Sequence, residues 1–240
     1  MSIIYINPYQ FAAVAGPTDP DFANVSLLLH GDGVNGSTTI VDSSPSPKTV
    51  TATGDAQIST AQSKFGGASI AFDGNGDRVA VANNAALNFG TGDFTVECWA
   101  RSVLPLTSYN IQYAHICGKG NGVGNGTYSL AFYQSKILFF SNGFVTKIGT
   151  STLTDNTWYH FAASRSGSTL KLFVDGVEEY SGTDTTNYTS SASFNAGDRQ
   201  ASDPNNQYPL NGYIDDLRIT KGVARYTSNF TPPTAPFPDA

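Results

Sequence analysis

TWYHFAASRSGSTLKLFVDGVEEY, residues 157–180, reads as three strands joined by two tight turns. Trp158, His160 and Ala162 alternate with Tyr159, Phe161 and Ala163, so the first strand has two distinct faces. A polar turn over Ser164–Ser168 follows. Leu170, Leu172 and Val174 then alternate with Lys171 and Phe173. Asp175-Gly176 closes a two-residue hairpin into Val177–Tyr180, because such a turn needs positive φ at both central positions and Asp-Gly tolerates it.

The same two-residue period runs outward from this meander. Val25–His30, Lys48–Thr53, Ala68–Phe72 and Arg78–Val81 read as strands. Phe94–Ala100 places Phe94, Val96, Cys98 and Ala100 on one face. Tyr128–Phe132, Lys136–Phe140 and Phe144–Ile148 form a second meander with Asn142-Gly143 at its last turn. Tyr213–Ile219 is the last strand. Helix is confined to a turn or two, with Ala224–Asn229 one such turn. About a dozen short strands with regular turns predict an all-β, two-sheet antiparallel jelly-roll sandwich. No composition break divides residues 25–231, which gives one domain, an extended arm over 1–24 and a Pro-rich tail over 232–240.

Composition narrows the functions. Of 240 residues, 40% are hydrophobic and only 13% charged, and the net charge is −6. Without a Lys/Arg run, a nucleic-acid ligand is excluded on charge. No apolar stretch approaches the roughly 18 residues of a membrane span. MSIIYINPYQFAAVAGP lacks the basic and apolar regions of a signal peptide. Cys98 and Cys117 either form one disulfide or stay as two buried thiols. Residues 1–24 carry Tyr5, Tyr9 and Phe11 among three prolines and no basic residue. This arm either docks on a partner subunit through those aromatics or packs on its own domain.

Four ordered motifs carry a resemblance. They are W-x-H-x-A…L-x-L-x-V-D-G (158–176), FGGASIAFDG with GDRV (65–79), FGTGDFTVECW (89–99) and GYIDDLRI (212–219). Over residues 25–231 the chain resembles the laminin-G-like, concanavalin A-like sandwich family, which includes glycan-binding modules, adhesion domains and accessory domains of secreted enzymes. INPYQFAA (6–13), SLLLHGDG (26–33), ISTAQSKFGG (58–67) and ITKGVARY (219–226) are similar to laminin-G-like proteins of tailed bacteriophages. That resemblance implies a non-enzymatic virion protein, a capsid decoration or tail-fibre component assembled in the host cytoplasm. It would be homo-oligomeric, as a trimer for instance, held to other virion proteins by the arm and displaying the sandwich to host surface glycans. The alternative is a lectin-like glycan-binding module; a polysaccharide-degrading enzyme ranks third.

The chemistry agrees with a non-enzyme. Glycoside hydrolysis uses two carboxylates across the scissile bond, and enzymes on this sandwich carry them as E-x-D-x-E on one strand. Here Glu97 has no acidic partner two residues away, and adjacent Glu178 and Glu179 point to opposite faces. The glycine-rich run 118–126 lacks the order of a phosphate-binding loop. Calcium is the candidate cofactor, since hard cations take carboxylate and carbonyl oxygens. Asp32 ends the first strand and Asp215 lies in the last, and the resemblance implies that these strands pair with a calcium ion near the junction. Simple parity puts Asp215 on the apolar face with Leu217 and Ile219. There it either meets a metal or accepts hydrogen bonds from backbone or from His30 or His160. Trp99 and Trp158 are candidate sugar-stacking rings or, alternatively, sheet-face packing. Tyr109, Tyr113, Tyr188 and Tyr208 read as loop aromatics placed for ligand contact.

Overall fold

A computed structural model describes residues 18–106, 113–120, 124–141, 145–199 and 209–240. Tyr5, Tyr9, Phe11, Tyr109, Tyr208 and the Asn142-Gly143 turn lie outside them. Among the described residues fifteen strands follow in order: β1 Val25–Leu29, β2 Val50–Thr53, β3 Gln57–Ser59, β4 Ser69–Asp73, β5 Arg78–Val81, β6 Phe94–Ser102, β7 Ala114–Lys119 and β8 Tyr128–Tyr133. Then come β9 Lys136–Ser141, β10 Val145–Ile148, β11 Tyr159–Ser166, β12 Thr169–Val174, β13 Val177–Thr183, β14 Phe194–Ala196 and β15 Asn211–Lys221. The first sheet runs β13-β12-β11-β6-β15-β4-β3, with β1 also on β15; the second runs β10-β9-β8-β7-β14-β5-β2. Every pairing is antiparallel. This is the expected sandwich. The two helical elements among the described residues are single 3-10 turns at Phe22–Asn24 and Ala85–Leu87, whereas Ala224–Asn229 is irregular.

The inner faces fill as alternation dictates. Phe94, Val96, Cys98 and Ala100 meet Phe161, Ala163, Leu170 and Leu172 in one core with Tyr128, Leu130, Phe132 and Phe139 of the second sheet. Cys98 and Cys117 are free thiols buried in that core. Burial pushes the Cys98 thiol up, and contact with Cys117 adds to the effect.

The outer face of the first sheet departs from the usual half-wet pattern. Chain after β15 runs back across it as a strap. Phe237 packs on Val25 and Leu28, and Tyr226 stacks on Phe230 at 3.6 Å. The strap crosses the Asp175-Gly176 turn, whose φ values are +47° and +77°. There the Phe230 amide donates to the Gly176 carbonyl at 2.9 Å. A Cβ on Gly176 would overlap the Phe230 carbonyl, so glycine serves both the turn and the crossing. Residues 232–240 are therefore part of the sandwich. So are 18–24, which were expected to belong to the arm: the Asp19 amide donates to the Ala240 carbonyl, and Asp19 is buried.

Beneath the strap lies a charged network. Glu97 on β6 is fully buried. It accepts from Arg218 Nε at 2.9 Å and from the Tyr226 hydroxyl at 2.7 Å, and His160 Nε2 lies 3.2 Å away. Asp19 accepts from both Arg218 (3.1 Å) and Arg225 (2.7 Å), and the Arg218 guanidinium lies 3.7 Å from the Phe237 ring centroid. Burial alone would raise the Glu97 carboxyl, but Arg218, His160 and Tyr226 hold it down to about 2. Its folded value lies below its ordinary 4.5, so the stabilisation is present above that pH and disappears as pH falls towards 2. Glu97→Gln leaves Arg218 under-compensated and should cost about 3 kcal/mol at neutral pH by denaturant titration. The gap from wild type should close on acidification from about pH 4.5 to 2; a pH-independent gap would refute this assignment.

Candidate functional site

The first and last strands pair, Leu29 opposite Leu217, which brings Asp32 and Asp215 to one junction. Simple parity fails there. Asp215 pairs with Trp99 while Arg218 pairs with Glu97, so β15 carries an extra residue, and Asp216 takes φ +48°. This bulge puts Ile214 and Leu217 inward and turns Asp215 to the outer face. The Asp215 carboxylate accepts the amides of Lys64 and Phe65 at 2.6 and 3.1 Å. Asp216 accepts from His30 and from the Phe237 amide. Burial raises the Asp215 carboxyl to about 7 against those amide bonds, with Asp216 and Asp32 adding repulsion. Burial would lower His30, but Asp216 and Asp239 raise it to about 9. A Cβ on Gly66 (φ +60°) would overlap the Asp32 carboxylate.

The fit to calcium is partial. Asp32 and Asp215 supply two mutually repelling carboxylates, but Asp216 is committed to His30 and the strap. Among the described residues no group of three or more His, Cys, Asp or Glu could hold a metal.

The predicted aromatics divide. Trp99 is buried beneath Lys64, whose Nζ sits 3.7 Å from its ring centroid, with Phe65 and His160 edge-on. Its faces are occupied, which corrects the sugar-stacking reading. Tyr188 is also a correction. It is wholly buried among Phe89, Phe94 and Tyr128, and its hydroxyl donates to Asp184 at 2.7 Å. Tyr113 is half-buried on the outer side of the second sheet, packed against Phe140 at 4.6 Å and accepting from Arg199 at 2.6 Å. The structure does not bring it together with Trp99 or Tyr188. The glutamates are also engaged: Glu97 in the network, Glu178 with Lys171, and Glu179 with Thr150 and Ser151.

Beyond the strap and the Lys64–Phe65 crossing, the outer face of the first sheet stays open among the described residues. A groove of about 350 Å³ is lined there by Asp55, Gln57, Ser59, Asp73, Asn211 and Tyr213, with Ala71 and Val103 supplying apolar surface. Its volume falls within the range of small-molecule sites. Tyr213 is half-buried, and half-buried Trp158 stands 6.4 Å from it. The Arg101 guanidinium lies 5.7 Å over the Tyr213 ring, held to Asn156 by its Nε and Nη2. Asp77 accepts the amides of Asp55 and Asp73 and so fixes the groove wall. Of these residues only Trp158 was a sequence candidate. The available signal was alternation along β15, which sets Asn211 and Tyr213 on one face.

Residues 73–225 match the concanavalin A-like lectin/glucanases superfamily, laminin-G type. No curated protein matches the chain. Among solved structures, the binding domain of Paraclostridial Mosquitocidal Protein 1 aligns over 83% of this chain and 49% of its own, at TM-score 0.62 and 15% identity. The Botulinum neurotoxin serotype D binding domain aligns over 85% and 49%, at 0.62 and 18%. Domain 4 of AbnA, a GH43 extracellular arabinanase from Geobacillus stearothermophilus solved with arabinotriose, aligns over 84% and 94%, at 0.59 and 19%. The chain thus spans about half the length of the toxin binding domains, and at these identities the likeness is one of fold. With the family match covering more than half of its residues, the chain belongs to the concanavalin A-like lectin/glucanase superfamily.

Proposed function

We propose that this chain is a non-catalytic glycan-binding module whose site is the groove at the open end of the first sheet. The observation that carries this reading is the half-exposed Trp158/Tyr213 pair beside a wall of amide, hydroxyl and carboxylate groups. An aromatic face packs against the C–H face of a sugar ring, while amides and carboxylates satisfy its hydroxyls. The arabinanase domain that shares this fold was solved with arabinotriose, which supports the reading. The engaged glutamates favour recognition over hydrolysis.

Calcium at Asp32 and Asp215 belongs to the same proposal, as a stabiliser of the junction. The virion setting, the anchoring arm with Tyr5, Tyr9 and Phe11, and a homo-oligomer rest on the sequence resemblance. Because Asp19 is latched into the sandwich, a truncation that tests the arm must stop before Thr18. Loss of oligomerisation in that truncation would support an anchor, and unchanged assembly would refute it.

Tyr213→Ala should weaken glycan binding about tenfold or more on an array and by calorimetry, with an unchanged melting temperature. A Trp99→Phe protein should keep a sugar-induced change in tryptophan emission, and Trp158→Phe should lose it. Unaltered affinity in Tyr213→Ala would sink the groove. For calcium, the expected result is a rise in melting temperature on adding the ion, absent in Asp32→Asn. An unmoved curve with no metal by elemental analysis would dismiss it.

A further inference from the structure

We infer that the groove selects uncharged sugars and rejects uronate- or sialate-bearing glycans, with Asp55 and Asp73 as the specificity-determining residues. This inference rests on the glycan-binding reading of the same groove and adds the substrate class.

Among the described residues the lining contains two carboxylates and no Lys, Arg or His. Arg101 is the cation beside it: its Nε and Nη2 are held by Asn156 and its guanidinium lies over Tyr213, outside the lining, so its single charge offsets only part of the two carboxylates. The two carboxylates are held in place by their backbones. Asp77 is buried and accepts the Asp55 amide with one oxygen and the Asp73 amide with the other. Asn211 donates to the Asp73 carbonyl at 2.8 Å, which ties the loop to β15 next to Tyr213. Asp55 and Asp73 are both solvent-exposed and line the groove.

A neutral sugar on Tyr213 would find acceptors in Asp55 and Asp73 and both donors and acceptors in Gln57 and Asn211, which suits hydroxyl pairs. A glycan carboxylate in the same place would meet two like charges within a few ångströms. It would also lose its own hydration with no cation in the lining to replace it. That repulsion acts at the ligand and not on the fold, since neither carboxylate belongs to the core.

The test compares neutral arabino- and xylo-oligosaccharides with oligogalacturonides of equal length, using the full chain and calorimetry at low salt. Neutral ligands should bind about tenfold or more tightly than acidic ones. The Asp55→Asn/Asp73→Asn protein should close most of that gap, read as the ratio of neutral to acidic affinity within each protein, and salt near 0.5 M should narrow the wild-type gap. Equal or tighter binding of oligogalacturonides would overturn the selectivity, as would a gap unchanged in the double variant. If Tyr213→Ala still abolishes binding in that case, the groove stands and only the selectivity falls. If Tyr213→Ala changes nothing, or no glycan of either class binds, the groove reading falls and takes the selectivity with it. A matched melting temperature for the double variant excludes misfolding as the cause.

Discussion

Glu97 is the constraint around which the first sheet is organised. It sits at the middle of a central strand, on the face that would normally meet water, and is wholly buried. A carboxylate there is tolerable only if it is charged and fully paired. Arg218 from β15, Tyr226 from the strap and His160 from β11 do this, and Asp19 neutralises the remaining positive charge of Arg218 and Arg225. The strap and the segment before β1 are thus held by the same ions. The network also decides where the sheet stays uncovered. The strap's contacts fall on β1, β15, β6 and the β12–β13 turn, and the groove occupies a part of the face outside them.

Much of the architecture was legible in the sequence because sandwich strands obey a two-residue period. β5 was placed to the residue, and the Asp175-Gly176 turn has the dihedrals its residues demand. The strands β3, β7 and β14 do not show in the sequence. Gln57–Ser59 and Phe194–Ala196 are three residues each, too brief to show alternation, and β7 carries glycine and a register shift at His115/Cys117.

The site was less legible, for one physical reason: side chains on the outer face acquire their roles from segments distant in sequence. Trp99 looked available until Lys64 and Phe65 crossed it. Tyr188 follows a polar stretch and read as loop, yet its single bridge to Gly90 carries it into the aromatic core. The β15 bulge reversed Asp215, and no local pattern announces an inserted residue in Ile-Asp-Asp-Leu. Nothing local marks Tyr213 as a site residue, because Gln57 and Asp73, which join it in the groove, lie far away in the chain. Fold follows from local periodicity; this groove follows from long-range register.

The pairing of β1 with β15 has a consequence for how the chain reaches this state. Val25 lies opposite Thr220, and β15 separates β6 from β4 at the centre of its sheet. During synthesis the first sheet remains split, with Leu27, Phe94 and Val96 lacking their neighbour, until residues beyond 221 have left the ribosome. Such topology carries a high contact order and folds slowly, exposing apolar strand edges meanwhile. Production of this domain is therefore governed by the arrival of one late strand, and the strap that follows it seals the sheet last.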